Sequence, residues 1–480
     1  MDCLLGIDIG TTGMKSALFS ANGLLIDSDY ITYPVTYPGE GRAEQNPEDW
    51  WNALAGTVRN IVSRNRSAVD IVSMSLSTQG GCLILLDENY SPLLSAVSWL
   101  DKRAHEVSGI VREGISEAEL YRTCGWANVN SLNLPSIVWF REKRHDLFER
   151  TRYFASTADY INYRLTGKFS IDYTNLAMAM LLDLHKKDFS DKALHTAGIT
   201  RDNVPEIVPS GTAIGTLRTD AAEELGLSGD VVLVSGAHDQ YCASIGAGAV
   251  NAGDCVLSTG TAWVLLVTSD TLLFDINRVI HPCVHVLDSK YGLLTSVASG
   301  GNSLNWFQST FRPGVSFEAL SREAESVEAG CSGLLYIPEN VTAHGCSSFT
   351  NIDTAQTINF FTRSVFEGVA FANKRHLEVF SENGIDINKI IMIGGGAGSS
   401  VWPQIVADVS GIPLLIPEQK EAACTGAAIL AGVGCGIFNS VEEAVKRFAG
   451  EKYKIIQPDE KNTAVYENMY GEFVDLLKIL

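Results

Sequence analysis

Short apolar runs alternate with longer amphipathic segments along the first part of the chain. The opening residues predict a strand over 4–9, a Gly-Thr-Thr-Gly turn and a second strand over 14–19. An amphipathic helix is predicted from Pro47 to about residue 64, with Asn46 as its N-cap. This alternation is typical of a mixed α/β fold. Further apolar runs predict buried strands at 69–76, 83–86 and 231–234.

A similar beginning returns past the middle of the chain. Residues 256–267 repeat the order of strand, Thr/Gly turn and strand that is first met at residues 7–18. We therefore predict two domains built on one plan, joined at a hinge around a cleft. The predicted domains are residues 1–235 and 236–445, with a helical tail over 446–480. Later elements are predicted as helices over 241–250, 359–380 and 402–410 and a strand over 389–393.

Length and charge narrow the classes of function. The chain has 480 residues, which exceeds the size of one hydrophobic core, and its formal net charge is −20. An acidic surface repels nucleic-acid phosphates and anionic membranes, so neither is an expected partner. Ten scattered cysteines without a CxxC pair, and no basic, apolar leader, favour a cytoplasmic protein. A nucleotide is still compatible with this charge, because backbone amides and a metal ion can receive phosphates locally.

The first candidate site is the acid at the end of the first predicted strand. Asp8 is followed at once by the turn Gly10-Thr11-Thr12-Gly13. The amides and hydroxyls of such a turn can bind phosphate oxygens, and the carboxylate can hold Mg²⁺ directly or through water. The alternative is a plain hairpin with no ligand.

The second candidate is an acid and an amide that follow the strand at 231–234. In Gly236-Ala237-His238-Asp239-Gln240, Asp239 can act as a general base toward a substrate hydroxyl, and Gln240 can hold a neighbouring hydroxyl. The alternative interpretation makes Asp239 an N-cap of the next helix and nothing more.

The third candidate is the glycine-rich run at residues 394–400, which lies between a predicted strand and a predicted helix. Glycines there allow a flat ligand to approach the backbone closely. The run is not a GxGxxG motif, and the chain contains neither a P-loop nor a GxSxG elbow. A zinc site on His281, Cys283 and His285 is set aside, because a spacing of two residues is cramped for one metal.

Taken together, the ordered segments resemble the FGGY carbohydrate kinases of the sugar kinase, Hsp70 and actin superfamily. Each segment alone is weak evidence, whereas the ordered set is specific and spans roughly residues 4–445. The matching segments are 6–12, 44–51, 98–103, 158–167, 236–240, 258–261, 363–370 and 394–408.

The resemblance implies two ribonuclease-H-like (actin-like ATPase) domains around a central cleft, with the sugar mainly on the first and ATP mainly on the second. It implies ATP and Mg²⁺ as cofactors, Asp239 as the catalytic base, and Asp8 and Asp239 as the acids near the metal. The implied nucleotide-binding residues are Asp8, Gly10, Thr11, Thr12, Lys15, Gly260, Thr261, Gly301, Asn305, Gly396, Ala397 and Ser400. The implied substrate-binding residues are Gln79, Gly80, Gly81, Trp99, Asp101, Arg103, Asp239 and Gln240.

One departure from the family pattern and two likenesses to particular members of the family concern the substrate. After Gln79, xylulose kinases of this family typically carry Met-His and glycerol kinases Arg-Glu, whereas this chain has Gly80 and Gly81. The Asp-Gln pair at 239–240 is similar to glycerol kinases, while the Trp-x-Asp-x-Arg run at 99–103 favours the ketose kinases.

The sequence therefore predicts ATP-dependent phosphorylation of a hydroxyl of a small sugar or polyol, with a ketopentose such as xylulose favoured. Alternatives within the family are glycerol, a tetritol, another polyol or a sugar acid. Alternatives from other classes are an actin- or Hsp70-like ATPase and a degenerate kinase that senses a sugar. The resemblance leaves a homodimer open.

Overall fold

The structure is a computed structural model that describes residues 2–65, 69–127, 130–339, 345–448 and 452–478. Up to residue 250 the strands are β1 (Asp2–Ile9), β2 (Gly13–Ser20), β3 (Leu25–Thr32), β4 (Glu44–Gln45), β5 (Asp70–Thr78), β6 (Ile84–Leu86), β7 (Ala96–Val97), β8 (Tyr153–Ala155), β9 (Ser170–Ile171), β10 (Leu182–Asp183), β11 (Asp188–Phe189), β12 (Glu206–Ile207), β13 (Ala213–Thr216) and β14 (Val232–His238). The helices of the same part are α1 (Pro47–Asn65), α2 (Ser108–Gly114), α3 (Glu117–Cys124), α4 (Asn133–Lys143), α5 (His145–Arg150), α6 (Thr157–Thr166), α7 (Tyr173–Met178), α8 (Asp191–Ala197), α9 (Thr219–Leu225) and α10 (Asp239–Gly246).

The rest of the chain continues the mixture of strands and helices. Its strands are β15 (Asp254–Thr259), β16 (Trp263–Ser269), β17 (His281–Val284), β18 (Tyr291–Val297), β19 (Leu335–Ile337), β20 (Ser348–Thr350), β21 (Lys389–Gly394), β22 (Leu414–Pro417) and β23 (Tyr453–Ile456). Its helices are α11 (Gly300–Phe311), α12 (Phe317–Glu325), α13 (Ile358–Glu382), α14 (Trp402–Ser410), α15 (Ala422–Gly434), α16 (Val441–Phe448) and α17 (Glu460–Leu477).

The chain forms two compact units that are not contiguous in sequence. The first comprises Met1–Val250, Asp270–Gly292 and Glu421–Gly450, and the second comprises Asn251–Ser269, Leu293–Lys420 and Glu451–Leu480. The contiguous domain boundaries at residues 235 and 445 stay a prediction. No helix in the described ranges is long and apolar enough to span a membrane.

The first unit is built on a six-stranded sheet in the order β13-β14-β5-β1-β2-β3. Strand β1 runs antiparallel to β2 and parallel to β5, and β5 runs parallel to β14. The carboxyl ends of β1, β5 and β14 therefore meet at one edge of the sheet. Apolar residues of the strands and of α1, such as Leu5, Ile7, Leu54 and Leu233, form a buried core beneath that edge.

The second unit repeats this plan. Its sheet has the order β18-β16-β15-β21-β22-β23 in the part that lies in this unit. Strand β15 runs antiparallel to β16 and parallel to β21, as β1 does with β2 and β5. The duplicated strand, turn and strand that the sequence predicts at residues 7–18 and 256–267 is confirmed.

Helix α15 packs very closely against β1 and α10, at positions occupied by glycine. A Cβ atom at Gly6 would lie 1.9 Å from the carbonyl oxygen of Cys424, and one at Gly426 would lie 1.9 Å from that of Cys242. A Cβ atom at Gly246 would likewise lie 1.9 Å from the Ala422 carbonyl oxygen. Only glycine permits this backbone contact, so the glycines fix the distance between α15, α10 and the sheet.

Several element boundaries differ from the sequence prediction. Strand β14 continues to His238, and α10 begins at Asp239 rather than at 241, because Ala237 and His238 pair with the end of β5 after an irregularity in register. Strand β23 was not predicted; it completes the second sheet by pairing antiparallel with β22. Both differences arise from pairing with distant strands, which the local pattern does not show.

The close packing at Gly6 generates a prediction about stability. We expect Gly6→Ala to destabilise the protein by on the order of 3 kcal/mol or to prevent its soluble expression, because the new methyl group overlaps backbone atoms of α15. Thermal unfolding measures the effect.

The matched control is Gly471→Ala in α17, where no atom lies within 4 Å of the new Cβ. Since alanine is more favourable than glycine in the interior of a helix, this variant should match or exceed the wild-type melting temperature. A Gly6→Ala protein with an unchanged melting temperature would contradict the packing described.

Candidate active site

Two carboxylates lie at the carboxyl edge of the first sheet. Asp8 is next to last in β1 and pairs in register with Ser77 of β5, which in turn pairs with Ala237 of β14. Asp239 follows β14 directly. The Ser77 hydroxyl donates a 2.7 Å hydrogen bond to Asp8 Oδ1. The topology of parallel strands therefore brings together two acids that are 231 residues apart in sequence.

The first of these acids is held in an environment that disfavours its charge. The pKa of the Asp8 carboxyl is raised to about 7, and burial is the main cause. The hydrogen bond from Ser77 lowers this pKa, and the negative charge of Asp239 raises it. The nearby cation Lys15 is already engaged, because its Nζ lies 2.8 Å from Glu421 Oε2. An incoming cation is the group that would favour the ionised carboxylate here.

The turn at residues 10–13 is held with its carbonyl groups toward the protein. The Tyr33 hydroxyl donates to the carbonyl oxygens of Gly10 and Gly13 at 2.6 and 3.1 Å, and Gln45 Nε2 donates to that of Thr11 at 2.8 Å. Within the described parts of the chain, the amides of Thr11 and Thr12 have no hydrogen-bond acceptor. Such free amides at a glycine-containing turn can bind an anion.

Asp239 is not an N-cap. It is the first residue of α10, the capping position belongs to His238, and no side-chain capping bond is formed. The Asp239 side chain is 31% exposed, yet its Oδ1 atom is buried and forms no hydrogen bond with the described residues. His238 Nε2 lies 3.2 Å from this oxygen. The interpretation of Asp239 as a cap alone is therefore wrong, while Gln240 beside it is half-buried.

Trp99 and Gln79 lie beside the turn at residues 10–13. Trp99 Nε1 donates a 3.0 Å hydrogen bond to Thr11 Oγ1 and leaves its ring partly exposed. Gln79 is buried, and its backbone N–H donates to the Ile9 carbonyl oxygen at 2.8 Å. Its Nε2 donates to Gln45 Oε1 at 3.0 Å, whereas its own Oε1 is buried without a partner among the described residues.

Asp101 and Arg103 form a buried ion-pair network. Asp101 accepts from the Arg103 backbone and Nε at one oxygen, and from Ala43 N and Arg103 Nη2 at the other, over 2.7–2.8 Å. Arg103 Nη2 also donates to Glu44 Oε1 at 2.5 Å. Both Asp101 oxygens are thus occupied, and one guanidinium faces two carboxylates.

Neither Gly80 nor Gly81 could carry a side chain without displacing its neighbours. A Cβ atom at Gly80 would lie 2.6 Å from Met178 Cγ and 2.8 Å from His238 Cδ2. Gly81 has φ of +73°, in the left-handed region, and a Cβ there would lie 2.5 Å from Leu132 Cδ2. The space next to Gln79 is therefore filled by side chains from other elements.

The second unit contains a cavity of about 780 Å³ at the equivalent sheet edge. It is lined by most of the residues that the sequence assigns to the nucleotide in this unit; Ala397 is not in its lining. The predicted residues that line it are Gly260, Thr261, Gly301, Asn305, Gly396 and Ser400.

Glycines build this cavity from the β15–β16 turn, α11 and the loop after β21. The amide of Gly301 donates to the Gly260 carbonyl oxygen at 3.2 Å, and that of Asn302 donates to Thr261 at 2.9 Å. These bonds seat the first turn of α11 against the hairpin, where its positive dipole end favours an anion. A Cβ atom at Gly396 would lie 2.9 Å from Thr259 Cβ.

The cavity also uses residues that the sequence analysis missed. Phe317, Ser321, Arg322 and Glu325 of α12 line one side, and Trp263, Phe366 and Trp402 contribute aromatic surface. Helix α12 has an ordinary amphipathic pattern, so its sequence carries no signal of a ligand.

The residues present fit Mg²⁺ that arrives with a nucleotide better than a resident metal. No three His, Cys, Asp or Glu side chains come together as a ligand group in the described residues, those at 281–285 included. Mg²⁺ in phosphate-transfer sites is commonly held by one or two carboxylates and by the phosphates themselves. Asp8 and Asp239 supply two such carboxylates.

The two α/β units share one arrangement of strands, and each has a turn and a candidate site at the same edge of its sheet. The protein therefore has two domains of duplicated fold. Residues 3–246 match the N-terminal domain, and residues 255–435 the C-terminal domain, of the FGGY family of carbohydrate kinases. The chain belongs to this family and is a carbohydrate kinase.

Relatives with full coverage support this assignment. The chain is 31% identical to the xylulose kinase of Bacillus subtilis (strain 168), over 99% of this chain and 98% of the relative. It is 27% identical to the gluconokinase of the same organism, over 99% and 96% of the two chains.

Solved structures show the same fold. A ligand-bound xylulose kinase from Lactobacillus acidophilus superposes with a TM-score of 0.93 at 22% identity, over 100% of this chain and 98% of the other. A gluconate kinase from Lactobacillus acidophilus gives the same TM-score, identity and coverage. These likenesses confirm the predicted two-domain α/β fold and are consistent with the actin-like ATPase fold.

The raised pKa of Asp8 generates a prediction about pH. Its pKa is raised by folding, so between about pH 4 and pH 7 the unfolded chain releases a proton that the folded chain keeps, and stability falls as pH rises. In EDTA, we expect Asp8→Asn to gain on the order of 2 kcal/mol over wild type between pH 5 and pH 8, reaching a plateau above pH 7.

Urea denaturation of both proteins across this range measures the difference. Asp191→Asn, which removes an exposed acid of the same unit, should show no such trend. A constant difference between Asp8→Asn and wild type from pH 5 to pH 8 would be inconsistent with the raised pKa.

Proposed function

We propose that this carbohydrate kinase phosphorylates a hydroxyl of a ketopentose such as xylulose, with Mg-ATP as the phosphate donor. The observation that carries the catalytic part is the placement of Asp239, half-buried and partly open, at the same sheet edge as Asp8 and the turn at 10–13. The substrate part is supported by the full-length xylulose kinase relatives and by the charge of the site.

The proposed reaction is a direct transfer to the sugar. The Asp239 carboxylate accepts the proton of the hydroxyl as its oxygen attacks the γ-phosphorus in line. The bond between that phosphorus and the bridging oxygen of ADP breaks, so the products are the sugar phosphate, ADP and a proton that Asp239 passes to solvent. Gln240 is proposed to hold a neighbouring hydroxyl of the sugar.

Each unit has a turn that is suited to phosphate. In the first unit the free amides of Thr11 and Thr12 are the proposed donors, and in the second unit Gly260 and Thr261 of the β15–β16 turn lie against the start of α11. Asp8, with Asp239, would hold Mg²⁺, which supplies neutralisation of phosphate charge when bound. The nucleoside is proposed to occupy the 780 Å³ cavity beside Asn305, Gly396 and Ser400.

The charges around the proposed sugar site favour a neutral substrate over a sugar acid. Both cations among the assigned residues are paired: Lys15, which the sequence assigns to the nucleotide, faces Glu421, and Arg103, which it assigns to the substrate, faces Asp101 and Glu44. The carboxylate of a sugar acid such as gluconate would lose hydration without gaining a free cation from this pair. Asp101 and Arg103 are accordingly proposed to shape the wall through residues 43–45 and Trp139, over whose ring the Arg103 guanidinium lies at 5.3 Å.

The base assignment predicts the behaviour of Asp239→Asn. The amide preserves the shape of the side chain but cannot accept the proton, so we expect kcat for xylulose to fall by at least about 10²-fold. ATP affinity, measured by calorimetry, should change by less than about threefold. Asp191→Asn serves as the matched surface control, and turnover of Asp239→Asn near the wild-type value would refute the assignment.

The charge argument predicts substrate preference. In a coupled ADP-release assay we expect kcat/KM for xylulose to exceed that for gluconate by at least about 100-fold, because a desolvated carboxylate without a cation costs several kcal/mol. Glycerol and a tetritol complete the panel. A preference for gluconate would overturn the proposed substrate, and ATP hydrolysis that no sugar stimulates would favour an ATPase with a conformational output.

A further inference from the structure

The imidazole of His238 lies between the proposed base and the backbone of Gly80. Its Nε2 is 3.2 Å from Asp239 Oδ1, and its Cδ2 is 2.8 Å from the point where a Gly80 Cβ would be. The ring is buried, with 7% of the side chain exposed. It fills the volume that a side chain at position 80 would otherwise occupy.

The backbone of His238 is held by a buried network. The His238 backbone N–H donates to Thr174 Oγ1 at 2.7 Å, and that hydroxyl donates to Asp172 Oδ1 at 2.5 Å. Asp172 in turn accepts from Asn175 Nδ2 at 2.6 Å, and Asn175 Oδ1 accepts from Thr78 at the end of β5. The start of α7 therefore ties His238 to the carboxyl edge of the sheet.

The two oxygens of Asp239 have different surroundings. Oδ1 is buried without a hydrogen-bond partner among the described residues, and the His238 Nε2 atom lies 3.2 Å from it. Because the side chain as a whole is 31% exposed, Oδ2 is the oxygen open to a substrate. The present alignment of Nε2 and Oδ1 is not that of a hydrogen bond, but catalytic hydrogen bonds are commonly loose before substrate binds and shorten in the complex.

We propose that His238 is a positioning residue for phosphoryl transfer: its Nε2–H holds Asp239 Oδ1, so that Oδ2 is presented to the sugar hydroxyl. The inference rests on the proposed function of Asp239 as the base. The His238 Nδ1 atom is buried and has no hydrogen-bond partner in the described structure.

The test separates the donor from the volume of the ring. His238→Phe keeps the packing against Gly80 and Met178 but removes the N–H, whereas His238→Gln keeps a side-chain N–H donor. We expect His238→Phe to lower kcat for xylulose by about 10- to 100-fold with KM for ATP within about threefold of wild type. His238→Gln should recover kcat to within about fivefold of wild type.

His285→Phe is the matched control. His285 is also a buried histidine of the first unit, with its Nε2 lacking a partner among the described residues, and its ring packs on Tyr241. It contacts no proposed site residue in the described contacts, so its kcat should stay within about twofold of wild type. Melting temperatures of all three variants verify that each protein is folded.

Gly80→Ala is a second test of the position of the His238 ring, because this variant keeps His238 but should displace its side chain. The added methyl group meets His238 and Met178 and should displace the imidazole from Asp239. A loss of kcat with little change in melting temperature is expected, and this variant tests the inference even if His238→Phe does not fold.

The outcomes distinguish this inference from the function on which it rests. Folded His238→Phe with wild-type kcat overturns the role of His238. An equal loss of kcat in His238→Phe and His238→Gln also overturns it, because it would show that the N–H donor does not account for the effect. Wild-type protein that phosphorylates no sugar of the panel would instead overturn the proposed function.

Discussion

The close contact of α15 with β1 and α10 is the constraint on which the first unit depends. Gly6, Gly246 and Gly426 each face a backbone carbonyl oxygen at a distance that no side chain permits. Because α15 lies so near, its first turn places Glu421 against Lys15 and Cys424 against the Lys15 carbonyl oxygen. The close packing of α15 that the three glycines permit therefore contributes to the burial that raises the pKa of Asp8.

The site near Asp8 resembles the whole surface in its charge, because both lack excess positive charge. The net charge of −20 describes a surface that repels polyanions, and the edge beside Asp8 is itself short of free cations. In the proposed reaction, phosphate charge would instead be met by turn amides, by a helix N-terminus and by a cation that comes with the nucleotide. Such a site disfavours an isolated anion, which agrees with the preference for a neutral sugar.

Much of this could be predicted from the sequence because the relevant signals are local. The strand, turn and strand at residues 7–18 and 256–267 fold as predicted, and six of the residues assigned to the nucleotide do line one cavity. What could not be predicted depends on partners distant in the chain. Glu44 pairs with Arg103, which lies 59 residues away in the sequence, and the sequence around either residue does not predict the pair. Likewise, α12 enters the cavity wall through tertiary packing that its amphipathic pattern does not reveal.

The Gly80-Gly81 pair is another feature whose role depends on residues distant in the chain, and the structure changes its interpretation. From sequence, the missing side chains after Gln79 suggest a lost determinant of substrate. The structure instead fills that volume with Met178 from α7 and His238 from the end of β14. A side chain at position 80 would need the space that the imidazole of His238 now fills, so it would displace that ring. The wall of the site can therefore be supplied from either strand end, and in this chain it comes from the residue next to the proposed base. Under the proposed function, the imidazole of His238 would couple substrate choice to the geometry of the base, so a change at position 80 would affect both.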